Sequence, residues 1–444
     1  MRVALSALGS AGDVAPVVAI GSTLRMRGHD VRVVALEEYA PLVERAGLHL
    51  EAVPGGASTL WPDISWLRGL ALAQPGVMYA TMMTSFHSLA PHTNEALRRA
   101  ADGVDVIVSG LVTRGAAAAL AQATCADHLT VLFAPLLPAS TTSSTALGLA
   151  RGGRHVLRAT SSAMWGLTRG LSAAHTADMT RRVGHRPESR STLLLATSPV
   201  VSPPARQWPD GVEQVGWIPS VHGPAELPDE VREFLAGDGP TAVMTFGSCP
   251  VVSAQRDRRL FVEAARLAGV RLILTDGGAP VPGDDVLVTG PVSYEALLPQ
   301  VSAVVHHGGA GTTYAALASG TPSVVVPHLG DQAYYARRVA ELGAGPRGVP
   351  RWRVTAPILA RRVLAALEMR EGAQATARRL GPGTGARRIA DLVEEGGSQP
   401  RRRERPTSQA ARPASTPVQP SQLANGQRAA DASPPASASR ASST

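Results

Sequence analysis

The segment Val304-Val305-His306-His307-Gly308-Gly309-Ala310-Gly311-Thr312-Thr313 leaves this chain few folds to choose from. An apolar run of strand character stops at paired histidines, bends through glycines and opens into Thr312–Ser319, a helix-compatible stretch ended by Gly320. A second apolar run, Ser323–Val326, follows and stops at Pro327. The pattern is strand–turn–helix–strand, which predicts a parallel βαβ unit with a glycine bend at the carboxyl end of its first strand. Such a bend presents backbone N–H groups and the positive end of a helix dipole at one spot, which suits a phosphate. The second strand then delivers an acid and an amide, Asp331 and Gln332, to the same sheet edge through Pro327-His328-Leu329-Gly330-Asp331-Gln332. Together these residues read as a site for a diphosphate carrying a polyhydroxylated group.

The same alternation runs through the rest of the chain. Val3–Leu8 reads as a strand, Pro16–Arg27 as a helix stopped by Gly28, and Val31–Leu36 as a second strand. Val104–Ser109, a helix over Ala116–Ala123, Leu129–Ala134 and Leu193–Ala196 follow. After a Pro-rich acidic stretch the pattern restarts with Ala242–Phe246, Leu260–Ala268, Arg271–Thr275 and Val286–Thr289. The prediction is an α/β chain of two doubly wound parallel-sheet domains facing across a cleft. A first domain is expected over 1–217, a linker over 218–240, a second domain over 241–395 closed by a helix at Arg387–Glu395, and a disordered tail over 396–444. Two looser segments carry Trp61, Trp66, Met78, Met82, Met83, Phe86 and Trp165. They suit ordinary helix packing, or the wall of a site for a hydrophobic ligand, with Trp61, Trp66, Met78 and Met82 as the candidates.

Charge does not point to nucleic acid. Every basic side chain but histidine is arginine, and of the net +8, +5 belongs to residues 401–444. The high pI therefore reflects composition and a tail more than a localised patch. Cys125 and Cys249 are far apart and imply no disulfide framework, so a reducing cytoplasm is expected. The amino terminus reads as a strand rather than a signal peptide, and no apolar run approaches the roughly 20 residues that span a bilayer.

A second bend, Gly9-Ser10-Ala11-Gly12-Asp13-Val14-Ala15-Pro16, sits between the first strand and the first helix. Glu37 and Glu38 at the end of the next strand mimic a ribose-binding acid, but the G-x-G-x-x-G spacing of a dinucleotide site is missing. What the bend displays is a carboxylate, Asp13. It can cap the helix, act as a general base facing the second domain, or do both.

These motifs, taken in order, resemble the GT-B fold glycosyltransferases of family one, in particular the bacterial natural-product branch with glycopeptide, macrolide and sterol-type members. The resemblance covers roughly residues 1–395 and rests on Gly12–Pro16, Phe246-Gly247-Ser248, His306–Thr313 and Asp331–Ala336. It implies an inverting, metal-independent transfer of a sugar from a UDP- or dTDP-sugar to a hydroxyl of a hydrophobic small molecule. A secondary-metabolite aglycone is the favoured acceptor, with a lipid or sterol second. On this resemblance Asp13 is the catalytic base, with Asp331 its rival. Ser10, Ser248, His307, Gly309, Ala310, Gly311 and Thr312 hold the donor diphosphate, Val292 holds the nucleobase through its backbone, and Asp331 and Gln332 orient the sugar. The chain departs from the pattern at Ala11, where relatives often carry a basic residue, and at Ser293-Tyr294, where Pro-His is usual.

No resident cofactor and no metal are expected, because no Cys or His grouping has ligand spacing. The expected partners are the nucleotide sugar and the acceptor, on a monomer or homodimer. His29 reads as part of a helix-to-strand turn and His306 as a structural strand end. Two other classes fit the same residues: a sugar-nucleotide epimerase, which would release product with no acceptor attached, and a silent auxiliary protein, which would bind donor without turnover.

Overall fold

The computed structural model describes residues 1–60, 75–137, 154–186, 192–205, 208–219, 226–245, 254–328 and 330–397. Two wholly parallel sheets organise them. The first contains β1 (Arg2–Ser6), β2 (Asp30–Leu36), β3 (His49–Val53), β4 (Val106–Ser109), β5 (Asp127–Leu132), β6 (Thr192–Leu195) and β7 (Val212–Gln214), in the order β3-β2-β1-β4-β5-β6-β7. The second contains β8 (Thr241–Thr245), β9 (Arg271–Leu274), β10 (Val286–Val288), β11 (Ala303–His306) and β12 (Ser323–Val325), in the order β10-β9-β8-β11-β12. The strands are short runs of Val, Ile and Leu because helices cover both faces and bury alternate residues alike. In the second sheet Ala242, Met244, Leu272 and Leu274 pack to one side, while Val243, Ile273 and Val304 pack to the other.

Strand order reverses once in each sheet, between β1 and β4 and between β8 and β11. Ligands of open α/β sheets bind outside the carboxyl ends of the strands at such switch points. Both bends singled out in the sequence lie there: β1 runs into Ser10–Asp13, and β11 runs into His307–Gly309.

The principal helices are α1 (Ala11–Met26), α2 (Pro75–Ala100), α3 (Arg114–Thr124), α4 (Arg154–Leu171), α5 (Ala173–Val183), α6 (Asp229–Leu235), α7 (Ala254–Ala268), α8 (Ala310–Ser319), α9 (Gln332–Glu341), α10 (Ala356–Leu367), α11 (Arg370–Leu380) and α12 (Gly385–Gly397). Helix α1 begins five residues before the expected Pro16, because Ser10 and Asp13 form a reciprocal capping box at its start. The stretch expected to be a linker contains α6, whose Val231, with the preceding Leu227, is buried against the second sheet. Its Pro-rich flanks hid one short amphipathic turn. Helix α12, expected to close the second domain, packs instead on the first half. Ile389, Ala390 and Val393 enter the core around β1 and α1, and Arg27 pairs with Asp391 (2.7 Å) and Glu394 (3.1 Å). His29 belongs to the same contact, its Nε2 lying 2.9 Å from Glu394.

A second set of contacts ties the halves together beside the cleft. The loop after β6 is gripped by side chains from α8 and α9. The Ser198 N–H donates to the Tyr314 hydroxyl at 2.9 Å, the Tyr334 hydroxyl donates to the Val201 carbonyl at 2.9 Å, and Arg338 donates to the carbonyls of Val200 and Val201. Trp217, just after β7, stacks on Tyr314 with ring centroids 5.5 Å apart. All these groups are largely buried, so each lost partner leaves a desolvated polar atom. Tyr314→Phe orphans the Ser198 N–H while keeping the ring stack, and it should cost about 1–3 kcal/mol in urea unfolding.

Candidate active site

The amino-terminal bend is built by its own capping box. The Ser10 backbone N–H donates to Asp13 Oδ2 at 2.9 Å, and the Gly12 N–H donates to Ser10 Oγ at 3.3 Å. Ser10 is thus engaged in holding Asp13 in place. Behind it, Ser6 Oγ and Thr113 Oγ1 lie 2.7 Å apart and bridge the carboxyl ends of β1 and β4. Asp13 is half-buried by surface, yet protein atoms crowd its carboxyl. Desolvation outweighs the two Ser10 hydrogen bonds and pushes the carboxyl up to about 6.

On the facing half, His306 ends β11 fully buried, and its Nδ1 accepts the Gly308 N–H at 3.1 Å. That bond stabilises a bend in which Gly308 takes φ +91, where a Cβ would also lie 2.7 Å from Val325 Cγ1. Gly309 then caps α8 with no side-chain partner, and a Cβ on it would collide with His307 Nε2. The first turn of α8 therefore directs the N–H groups of Ala310, Gly311 and Thr312 beside the His307 ring, with the dipole end of the helix behind them. Thr313 donates its hydroxyl back to the Gly309 carbonyl at 2.8 Å and serves the turn itself.

The loop after β12 closes this side. The Gln332 carboxamide oxygen accepts the His328 N–H at 2.7 Å, which fixes the amide and the loop together. Asp331 precedes α9 and is half-buried. Burial drives its carboxyl up to about 7, and the Asp13 charge across the cleft adds to the rise. The two carboxylates are therefore electrostatic neighbours although 318 positions separate them in sequence. The histidines shift the other way. Desolvation lowers His307 to about 4; it lowers His306 and His328 to about 3, with His307 contributing to each, so all three rings are neutral at pH 7. His328 belongs to this cluster and was not among the sequence candidates; it stood unremarked inside the Pro327–Gln332 run.

The structure thus brings Ser10, Asp13, His307, Gly309, Ala310, Gly311, Thr312, Asp331 and Gln332 to the carboxyl edges of the two sheets. Val292 is buried at the start of a short turn that Ser293 caps, on the same edge of the second sheet. Beside it the Tyr294 hydroxyl lies 2.8 Å from Thr245 Oγ1 at the end of β8, so the unusual Ser-Tyr pair is anchored to the sheet. Ser248, Trp61 and Trp66 lie outside the described residues, as do the side chains of Met78 and Met82 in α2. Among the described residues no group of His, Cys, Asp and Glu is placed to hold a metal ion, and no helix is long and apolar enough to cross a membrane.

Both carboxyls bind protons more tightly in the folded chain than at the ordinary value of 3.8. Their contribution to stability is therefore favourable at low pH and is lost as pH rises through about 4 to 7. Asp331→Asn should melt at a higher temperature than the parent at pH 8 and at the same temperature at pH 4, as thermal scans at both values will show.

Known proteins are similar to this chain in sequence and in fold. Residues 3–112 match the glycosyltransferase family 28 N-terminal domain, and residues 275–381 match the C-terminal domain of erythromycin biosynthesis protein CIII-like proteins. Over 433 residues the chain is 34% identical to the O-mycaminosyltylonolide 6-deoxyallosyltransferase of Streptomyces fradiae, covering 89% of this chain and 97% of that one. It is 30% identical to the vancomycin aglycone glucosyltransferase of Amycolatopsis orientalis, covering 78% of this chain and 85% of that one. Among solved structures, a glycosyltransferase of Streptomyces nogalater superposes with a TM-score of 0.61 at 24% identity, covering 89% of this chain and 99% of its own. A Streptomyces glycosyltransferase complexed with thymidine diphosphate superposes with a TM-score of 0.61 at 20% identity over the same shares.

Proposed function

The chain belongs to the GT-B glycosyltransferases of the antibiotic-biosynthesis type, and on that premise we propose that it transfers a sugar from a UDP- or dTDP-sugar to a hydroxyl of a hydrophobic small molecule, with inversion and without a metal. The observation that carries this reading is the opposition of Asp13 to the pair formed by Asp331 and the α8 amino terminus. A base on one half faces a sugar-and-diphosphate site on the other. We read the enzyme as cytoplasmic and as acting on a secondary-metabolite aglycone.

The diphosphate sits against the N–H groups of Ala310–Thr312 and the His307 ring. As the bond from the anomeric carbon to the diphosphate oxygen breaks, negative charge grows where those donors already point, with little reorganisation. Asp331 and Gln332 hold the sugar hydroxyls, so that the anomeric carbon faces Asp13. The acceptor oxygen forms its new bond from the side opposite the leaving group, and its proton passes to Asp13. An exposed carboxylate near 3.8 is a poor base for an alcohol; one pushed to about 6 is better matched while remaining mostly ionised at neutral pH. Asp331, raised to about 7, spends part of its time protonated, which suits a group that hydrogen-bonds sugar hydroxyls more than one that must stay ionised.

Three tests bear on the assignment. With the full set of UDP- and dTDP-sugars and an accepted aglycone, kcat/KM should rise with pH along a limb near 6, set by Asp13. Asp13→Asn should lower turnover by roughly 10²–10⁴-fold while calorimetry shows unchanged nucleoside diphosphate affinity; near-parental rates would remove Asp13 as the base. His307→Ala should weaken the nucleoside diphosphate as well as the donor, and unchanged affinity for both would break the cradle assignment.

A further inference from the structure

The second sheet has a face that the reaction does not use. Helices α7 and α10 lie side by side on the side opposite α8, burying Phe261, Val262, Ala265, Leu359, Ala360 and Val363 against Met244, Leu274 and Val305. Their outer surface is unusual for a soluble helix pair. Of the six large apolar side chains exposed among the described residues, three lie on this one face: Trp352 at 75% exposure, Leu267 at 55% and Leu364 at 45%. Trp352 belongs to the turn Arg351–Arg353 that enters α10, and the ion pair of Arg351 with Asp257 fastens that turn to the first turn of α7.

Around these side chains the charge is one-sided. Arg258 and Arg266 are matched by Asp276 at 2.7 Å and Asp285 at 2.8 Å. Arg256, Arg259, Arg353 and Arg361 are exposed and make no ion pair among the described residues. Glu263 is the one exposed acid on the two helices. An open groove of about 510 Å³ along Arg259, Val262, Leu267 and Val281 runs through the patch.

We propose that this face of the second domain docks on an anionic lipid surface, with Trp352, Leu267 and Leu364 entering the headgroup region and Arg256, Arg259, Arg353 and Arg361 pairing with lipid phosphates. The distribution selects lipid over a folded acidic protein. Protein interfaces gather their apolar side chains into one dry centre and push charge to a rim. Here arginines are interleaved with the apolar side chains, Arg353 following Trp352, Arg266 preceding Leu267 and Arg361 lying one turn before Leu364, an arrangement that mobile headgroups and acyl chains can fill together. Trp and Arg are also the side chains that settle at a membrane–water boundary, with an apolar body inward and a polar group outward.

The test is co-sedimentation of the full chain with phosphatidylcholine vesicles made with and without phosphatidylglycerol. The parent should bind the anionic vesicles, release them in high salt and ignore the neutral ones. The triple variant Arg256→Gln, Arg259→Gln, Arg361→Gln should bind roughly a hundredfold more weakly. Trp352→Ser should bind the anionic vesicles more weakly at low salt, and both variants should turn over a water-soluble acceptor like the parent. Arg401→Gln, Arg402→Gln, Arg403→Gln serves as the control for the arginine-rich tail and should keep most of the vesicle binding. No binding by the parent, equal binding by the α7/α10 variant, or a loss confined to the tail variant would overturn the proposal. Retention of the parent by an acidic protein but not by anionic vesicles would replace lipid with protein as the occupant.

Discussion

The hydrogen bond from the Ser198 N–H to the Tyr314 hydroxyl is small, but the geometry of the cleft hangs on it and its neighbours. Tyr314 stands on α8, the helix whose first turn presents the phosphate-facing N–H groups. Ser198 stands in the loop after β6, on the half that carries Asp13. One helix therefore both carries the N–H groups that we assign to the donor and is pinned to the other half, with the Trp217 ring stacked beside it and Tyr334 and Arg338 holding the same loop. A polar latch of this kind is directional. Apolar packing alone would let the halves slide, whereas buried donors left without acceptors make each alternative position costly.

With that frame set, the electrostatics of the site follow from burial. Two carboxyls are raised and three imidazoles are lowered, all by desolvation first. Near neutral pH the histidines carry no charge, so the site that we assign to a diphosphate offers neutral N–H donors and a helix dipole rather than fixed cations. That agrees with the uncharged Ala11 at the start of α1. A leaving group bound by dipoles is stabilised where its charge develops, without a permanent ion pair to break before release. The arrangement costs stability, since Asp13 and Asp331 would fold more readily as neutral groups at neutral pH.

The bend that we assign to the donor stood out in the sequence because an unusual backbone path leaves its mark on backbone-determining residues. Gly308 at positive φ, Gly309 under the His307 ring and Gly320 ending α8 are positions where another residue would clash or strain, so glycine spacing outlines the site. The two sheets were legible for the same reason, through short apolar runs broken by turn residues. The latch was not. Tyr314, Tyr334 and Tyr335 read as helix residues, and only the third dimension shows that their hydroxyls reach the carbonyls and N–H groups of the first half. Helix α12 failed for a related reason: its stripe Ile389, Ala390, Val393 says that it is buried, but not against which sheet. The raised carboxyls were also beyond sequence, because desolvation depends on what surrounds a group in space. An apolar acceptor wall has no equivalent of the glycine code, since many combinations of Trp, Met and Leu make an equally good wall.

The two faces of the second sheet divide the work of the molecule. One carries α8 and turns toward the first half through the tyrosines, and the other carries α7 and α10 with their arginines. The reacting groups sit at neither face but at the carboxyl edge between them, at the switch point beside β8 and β11. The turn that carries Trp352 reaches that edge, because the Arg351 N–H donates to the Pro327 carbonyl at 3.1 Å, in the loop that leads to Asp331.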